Sequence, residues 1–190
     1  MASVVLSGDT SGTITIAAPA VSGSNTQTLV ATTGTLAPIV SGTAVASTSG
    51  TSVDFTGIPS WVKRITVMFS GVSTSGTSLP LIQLGDSGGF EITGYISSSV
   101  QLAAGNNVDS STAGFVIRSA TAANVLSGSV IIENIGGNAW VSHHVLKQST
   151  SAVIAGGGDK TLSDTLTQVR ITTVNGTDLF DAGSINILYE

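Results

Sequence analysis

The chain has no cysteine, which removes disulfide frameworks, zinc ribbons and dithiol redox motifs at once and leaves the compartment open. Charge is scarce too: Asp, Glu, Lys and Arg together make up 9% of the 190 residues. So little charge does not keep a free monomer in solution well, and it implies that partner chains cover much of the surface. The six basic residues, Lys63, Arg64, Arg118, Lys147, Lys160 and Arg170, are scattered, and the net charge is −5. Phosphate binding needs gathered cations, so nucleic acid is not an expected partner. No apolar run approaches the ~20 residues of a membrane helix, and the opening MASVVLSGDTSG lacks the basic stretch of a secretory signal. Neither membrane insertion nor a cleaved address is expected. Aromatics stand at 5%, thin for the aromatic groove of a polysaccharide-cleaving enzyme, and no carboxylate pair is evident.

Ser, Thr, Gly, Ala and Val fill much of what remains. Disordered chains are charged and poor in β-branched residues, so this composition is that of an ordered β protein. Residues 1–60 contain no Lys or Arg and two acids, Asp9 and Asp54. Short runs there, TITIAA (13–18), TQTLVA (26–31) and SGTAVAS (41–47), alternate with Ser/Gly turns. Strands so short cannot bury a core alone, and their β-branched content favours pairing with other copies over a flexible coil.

From about Thr51 the pattern strengthens. WVKRITVMF (61–69) sets Ile65, Val67 and Phe69 on one face and Arg64 and Thr66 on the other. LPLIQL, FEITGYI and AGFVIRS follow with turns between them. SGSVIIENI, Gly136-Gly137 and NAWVSHHVLKQ form a hairpin signature, and LTQVRITTV, Asn175-Gly176 and SINILYE close the chain. Eight or more short strands without a helical period predict an all-β protein, a jelly-roll-like antiparallel β-sandwich over residues 49–190. A short extended β-rich N-terminal arm, residues 1–48, is expected to precede it, as the segment for attachment and trimerisation that the resemblance described below implies. Trp61, Phe69, Phe90, Phe115, Trp140, Phe180 and Tyr189 are the candidate aromatic core. Residues 84–90, 104–112, 155–161 and 175–183 are expected to be long loops.

LGDSGGF (84–90) contains the Gly-Asp-Ser-Gly-Gly that surrounds the nucleophile of chymotrypsin-like peptidases, and its GDS resembles the opening of GDSL hydrolases. A serine nucleophile needs a base in reach and a group to orient it. Both histidines, His143 and His144, follow Ser87, whereas the peptidase order requires one before it. A GDSL enzyme needs Asp-x-x-His, but Trp140 and Val141 occupy the positions three before the histidines. The stretch therefore reads as a hairpin turn. His143 and His144 are adjacent on a strand and point to opposite faces, so one chain cannot chelate a metal with both. GGGDKT (156–161) has Asp159 where a phosphate loop needs glycine and no helix after it, which makes it a loop. Asn175-Gly-Thr177 matches a glycosylation sequon that Asn-Gly in a hairpin loop explains. Asp178 and Asp181 flank Phe180, thin ligation for calcium. These three residues are the candidate ligand contact; no catalytic residue, metal site or cofactor is expected.

The phrases IPSWVKRITVMFSGVSTSGTS (58–78), VRITTVNGTDLFDAGSINILYE (169–190) and SGTITIAAPAVSGSNTQTLVATTGTL (11–36) resemble the distal domains of tail-fibre and related virion proteins of tailed bacteriophages. The resemblance implies a non-enzymatic virion structural protein made in the cytoplasm of the infected bacterium: a short tail fibre, spike, or capsid or collar decoration. Its partners would be its own copies in a homotrimer, other virion proteins of tail, collar or capsid, and host-surface glycan. The alternative is a glycan-binding recognition module or a polysaccharide-degrading enzyme.

Overall fold

The computed structural model describes residues 3–7, 11–17, 37–103, 105–122, 124–149 and 152–190. The chain divides into two compact units, Met1–Leu36 and Ala37–Glu190. In the first, β1 (Ser3–Ser7) and β2 (Thr13–Ala17) form an antiparallel hairpin with Val4 opposite Ile16 and Leu6 opposite Ile14. The expected run at 26–31 lies outside the described residues.

The second unit holds β3 (Val40–Ser41), β4 (Val45–Ala46), β5 (Val53–Thr56), β6 (Arg64–Thr74), β7 (Pro80–Asp86), β8 (Gly89–Phe90) and β9 (Tyr95–Leu102). After these come β10 (Asn107–Ser111), β11 (Phe115–Val116), β12 (Leu126–Gly136), β13 (Ala139–Gln148), β14 (Ala152–Thr161), β15 (Gln168–Thr173) and β16 (Phe180–Tyr189). All pairings are antiparallel. A nine-stranded sheet runs β10-β9-β14-β13-β12-β6-β16-β3, with β4 also on β16, and a five-stranded sheet runs β11-β7-β15-β5, with β8 on β7. One apolar cluster draws on both sheets, so the unit is a β-sandwich. Residues 40–46 pair with β16 and belong to this sandwich rather than to the N-terminal unit.

Alternation writes most of the core. In β6, Ile65, Val67 and Phe69 are buried, then the alternation slips at Ser70-Gly71 and resumes with Val72. The slip is a bulge at which β16 also shifts register. Gly71 and Gly183 both adopt positive φ there, and a Cβ on Gly183 would lie 2.4 Å from the Gly71 carbonyl oxygen, so glycine is required where the two bulges meet. The pairs β6–β16, β7–β15 and β9–β14 are nested in sequence and alternate between the sheets. Of the candidate aromatic core, Phe69, Phe115, Trp140 and Phe180 are buried; Trp61 is exposed, and Phe90 and Tyr189 are half-buried.

Each of the four expected long loops contains strand. Residues 84–86 and 89–90 belong to β7 and β8, 107–111 form β10, GGGDKT lies inside β14, and 180–183 open β16. The glycines of β14 allow close approach. A Cβ on Gly156 would lie 2.5 Å from the Ser98 carbonyl and 2.6 Å from the His144 ring, and one on Gly158 would lie 2.3 Å from the Ile96 carbonyl.

Candidate functional site

In the GDSGG stretch, Gly85 pairs with Phe90 and Asp86 with Gly89, leaving Ser87-Gly88 as a two-residue hairpin turn. Ser87 is exposed, and no histidine is hydrogen-bonded to it. Asp86 organises the turn by accepting the Gly88 N–H at 2.7 Å. Its other oxygen lies 2.7 Å from Ser163 Oγ, which is also 2.7 Å from Glu91 Oε1. Glu91 in turn pairs with Lys160, which donates to the Thr93 carbonyl at 3.0 Å.

This network joins the β7–β8 hairpin to the segment after β14, and no local pattern signals it because Asp86, Glu91, Lys160 and Ser163 are dispersed along the chain. The Ser163 hydroxyl and the Gly88 N–H hold Asp86 below its ordinary pKa. Burial alone would raise Glu91, but Lys160 and Ser163 bring it below its ordinary value. The partners around them thus favour the charged form of both carboxylates. Lys160, committed to Glu91 and Thr93, is not a phosphate-loop lysine.

His143 and His144 point to opposite faces of β13, His143 exposed and His144 3% exposed. His144 Nε2 lies 3.0 Å from Ser99 Oγ, which also accepts the Arg118 N–H at 3.0 Å. The same motif repeats one row along, where Ser97 Oγ accepts the Val116 N–H at 2.8 Å. Two serines of β9 thus satisfy the backbone donors of β11 and the residues after it across the sandwich. Burial first, then the neighbouring His143 charge, lowers the His144 pKa to about 4. Ser99 and His144 have the atoms of a nucleophile and base, but Nδ1 has no partner to orient the ring and Ser99 is 2% exposed. The contact is structural.

The candidate ligand contact does not converge. Phe180 is 1% exposed and lies in the core, at the start of β16. Asp178 accepts the Ser78 N–H at 2.9 Å and the Asn175 side-chain amide at 2.8 Å, which lower its pKa, the Asn175 bond most. Asp181 pairs with the Ser73 hydroxyl. Asp178 closes one loop upon another, and Gly76 leaves it room: a Cβ there would lie 2.1 Å from its carboxylate. Among the described residues no group of three or more His, Asp or Glu side chains could hold a metal, and no helix is long and apolar enough to cross a membrane.

Gln83, Ile92, Arg170, Thr172 and Asn175 help line a depression of about 440 Å³ beside the five-stranded sheet. Asp54 grips Arg170 through two hydrogen bonds of 2.8 and 2.7 Å, and the guanidinium stacks 4.1 Å from the Phe90 ring centroid. No family model, curated protein or solved structure matches this chain.

Proposed function

We propose that the chain is a non-enzymatic bacteriophage virion structural protein that attaches through its N-terminal unit and displays the sandwich. The observation that carries the reading is the β1–β2 hairpin. Its register gives Val4, Leu6, Ile14 and Ile16 one common face, and all four are more than half exposed. A two-stranded hairpin is marginal alone, and its open edges and apolar face call for other chains. Assembly as a homotrimer on a tail, collar or capsid protein supplies them. The nested pairs of the sandwich support a jelly-roll-like course, with the β12–β13 hairpin inserted between β14 and β6. The bacteriophage part of the proposal rests on the sequence phrases at 11–36, 58–78 and 169–190.

Electron microscopy of particles labelled at the C-terminus tests it. Label standing away from the particle surface supports the reading; label absent from particles, or the sandwich buried against the shell, overturns it. The non-enzymatic part is tested with a fluorophosphonate probe, for which stoichiometric labelling lost in Ser87→Ala or Ser99→Ala is the contrary result.

A glycan-binding module is the second reading, favoured by the Arg170 groove. Asp54 neutralises the guanidinium while leaving it rigid and hydrogen-bonding, a combination suited to neutral hydroxylated ligands. Glycan-array binding that is lost in Gln83→Ala and Arg170→Ala would establish it.

A further inference from the structure

The outward face of β13, β14, β9 and β10 is nearly without charge and rich in exposed apolar side chains. Val145, Val100 and Val108 lie in one cross-strand row, Val153 and Leu102 in the next, and Ile96 two rows to the other side. Ile96, Val108 and Val145 are 71%, 67% and 65% exposed. Scattered apolar residues need no explanation, but the two adjoining apolar rows do; a row of His143, Gly157, Ser98 and Ser110 separates them from Ile96.

Two charges mark its ends. Lys147 stands in the Val153 row, and Asp159 stands in the Ile96 row on the neighbouring strand. With His143 in the row between, they are the ionisable residues of this face, and neither Lys147 nor Asp159 joins an ion pair among the described residues. Three row intervals separate them, about 20 Å at the ordinary strand rise.

We propose that this face packs against the same face of a second copy, about a two-fold axis lying in the interface and perpendicular to the strands. That operation reverses the order of rows and keeps each strand over its counterpart. The Lys147 row of one copy then meets the Val141–Asp159–Ile96 row of the other, and Lys147 reaches Asp159 across one strand spacing. Symmetry makes the contact twice. The alternative parallel packing about a three-fold axis gathers like charges at both ends, Lys147 with Lys147 and Asp159 with Asp159. The charge pattern selects the two-fold.

Four strands by four rows cover about 500 Å² per copy, or about 1,000 Å² in all, near the lower limit for a specific interface. The contact is therefore weak and dependent on concentration. It adds to association through the N-terminal hairpin and does not depend on the particle reading.

The experiment measures the mass of the full chain by light scattering over a concentration series at low salt. Val145→Asp, an exposed substitution, should halve the limiting mass while leaving the melting temperature unchanged. Lys147→Glu and Asp159→Lys should each weaken the contact on the order of tenfold, since each places like charges together twice. Mixing the two variants should restore the wild-type mass, because each supplies the charge the other now needs. An unchanged mass in Val145→Asp overturns the interface. A halved mass there, with no restoration on mixing the charge variants, overturns the two-fold register.

Discussion

His144 Nε2 lies 3.0 Å from Ser99 Oγ, so an imidazole occupies the sandwich interior beside a hydroxyl that already serves the Arg118 N–H. The ring fits because residue 156 on the adjacent strand has no side chain. Its neutrality is part of the fold. With a pKa of 6.5 unfolded and about 4 folded, the unfolded chain binds the extra proton between those values. Stability is therefore complete above pH 6.5 and falls as pH drops towards 4, by roughly 3 kcal/mol in all. The lowered carboxylates Asp86, Glu91 and Asp178 act in a more acid range. Melting temperatures across pH 4–6.5 should decline in the wild type and be nearly flat in His144→Gln.

Gly156 offers a steric counterpart. Its φ is ordinary, so a substitution there tests contact rather than backbone strain. The added methyl of Gly156→Ala meets the Ser98 carbonyl and the His144 ring at about 2.5 Å, and the backbone carbonyl cannot swing aside. A loss of about 2 kcal/mol, seen as a melting temperature lower by roughly 5 °C, is expected. Melting equal to wild type would mean that β14 and β9 are not so closely apposed.

Those two residues also mark how far the sequence could be read. Alternation in β6 and the glycines at 136–137 are local signals, and they place β6 and the β12–β13 hairpin, whose turn is Gly137-Asn138. Asn175-Gly176 marks a turn but not the expected hairpin, because β15 and β16 lie in different sheets. GGGDKT was misread because glycine is locally a loop former; its reason for being in a strand lies on β9 and β13, far away in sequence. Similarly, His144 is recognisable as inward-facing only once the parity of β13 is fixed, and its partner Ser99 is one serine among many. The Asp86–Ser163–Glu91–Lys160 network was not legible at all, since it is assembled from two separate connections. Composition set the start of the sandwich too late, because the weakly apolar residues 40–46 add only short strands at an edge.

Phe180 gives the plainest test of site against core. Fully enclosed, its ring should cost about 3–5 kcal/mol when truncated to alanine. Phe180→Ala is expected to melt far below wild type. At temperatures where the variant stays folded, adsorption to cells should match wild type. Unchanged melting with lost adsorption would return Phe180 to the role of a ligand contact.

The N-terminal hairpin tests assembly. Leu6→Ser with Ile14→Ser changes a cross-strand pair on its apolar face and alters no residue of the sandwich unit. If other copies cover that face, burial of two such side chains is worth roughly 3–5 kcal/mol per chain, and the variant should lose most of its association through the hairpin. Sedimentation velocity reads the loss as a fall in particle mass, while the melting transition of the sandwich stays in place. A trimer as tight as wild type would move the three-fold contact into residues 37–190. A wild-type protein that is monomeric at every concentration would leave the hairpin's apolar face to a different protein, and the homotrimer would have to be abandoned.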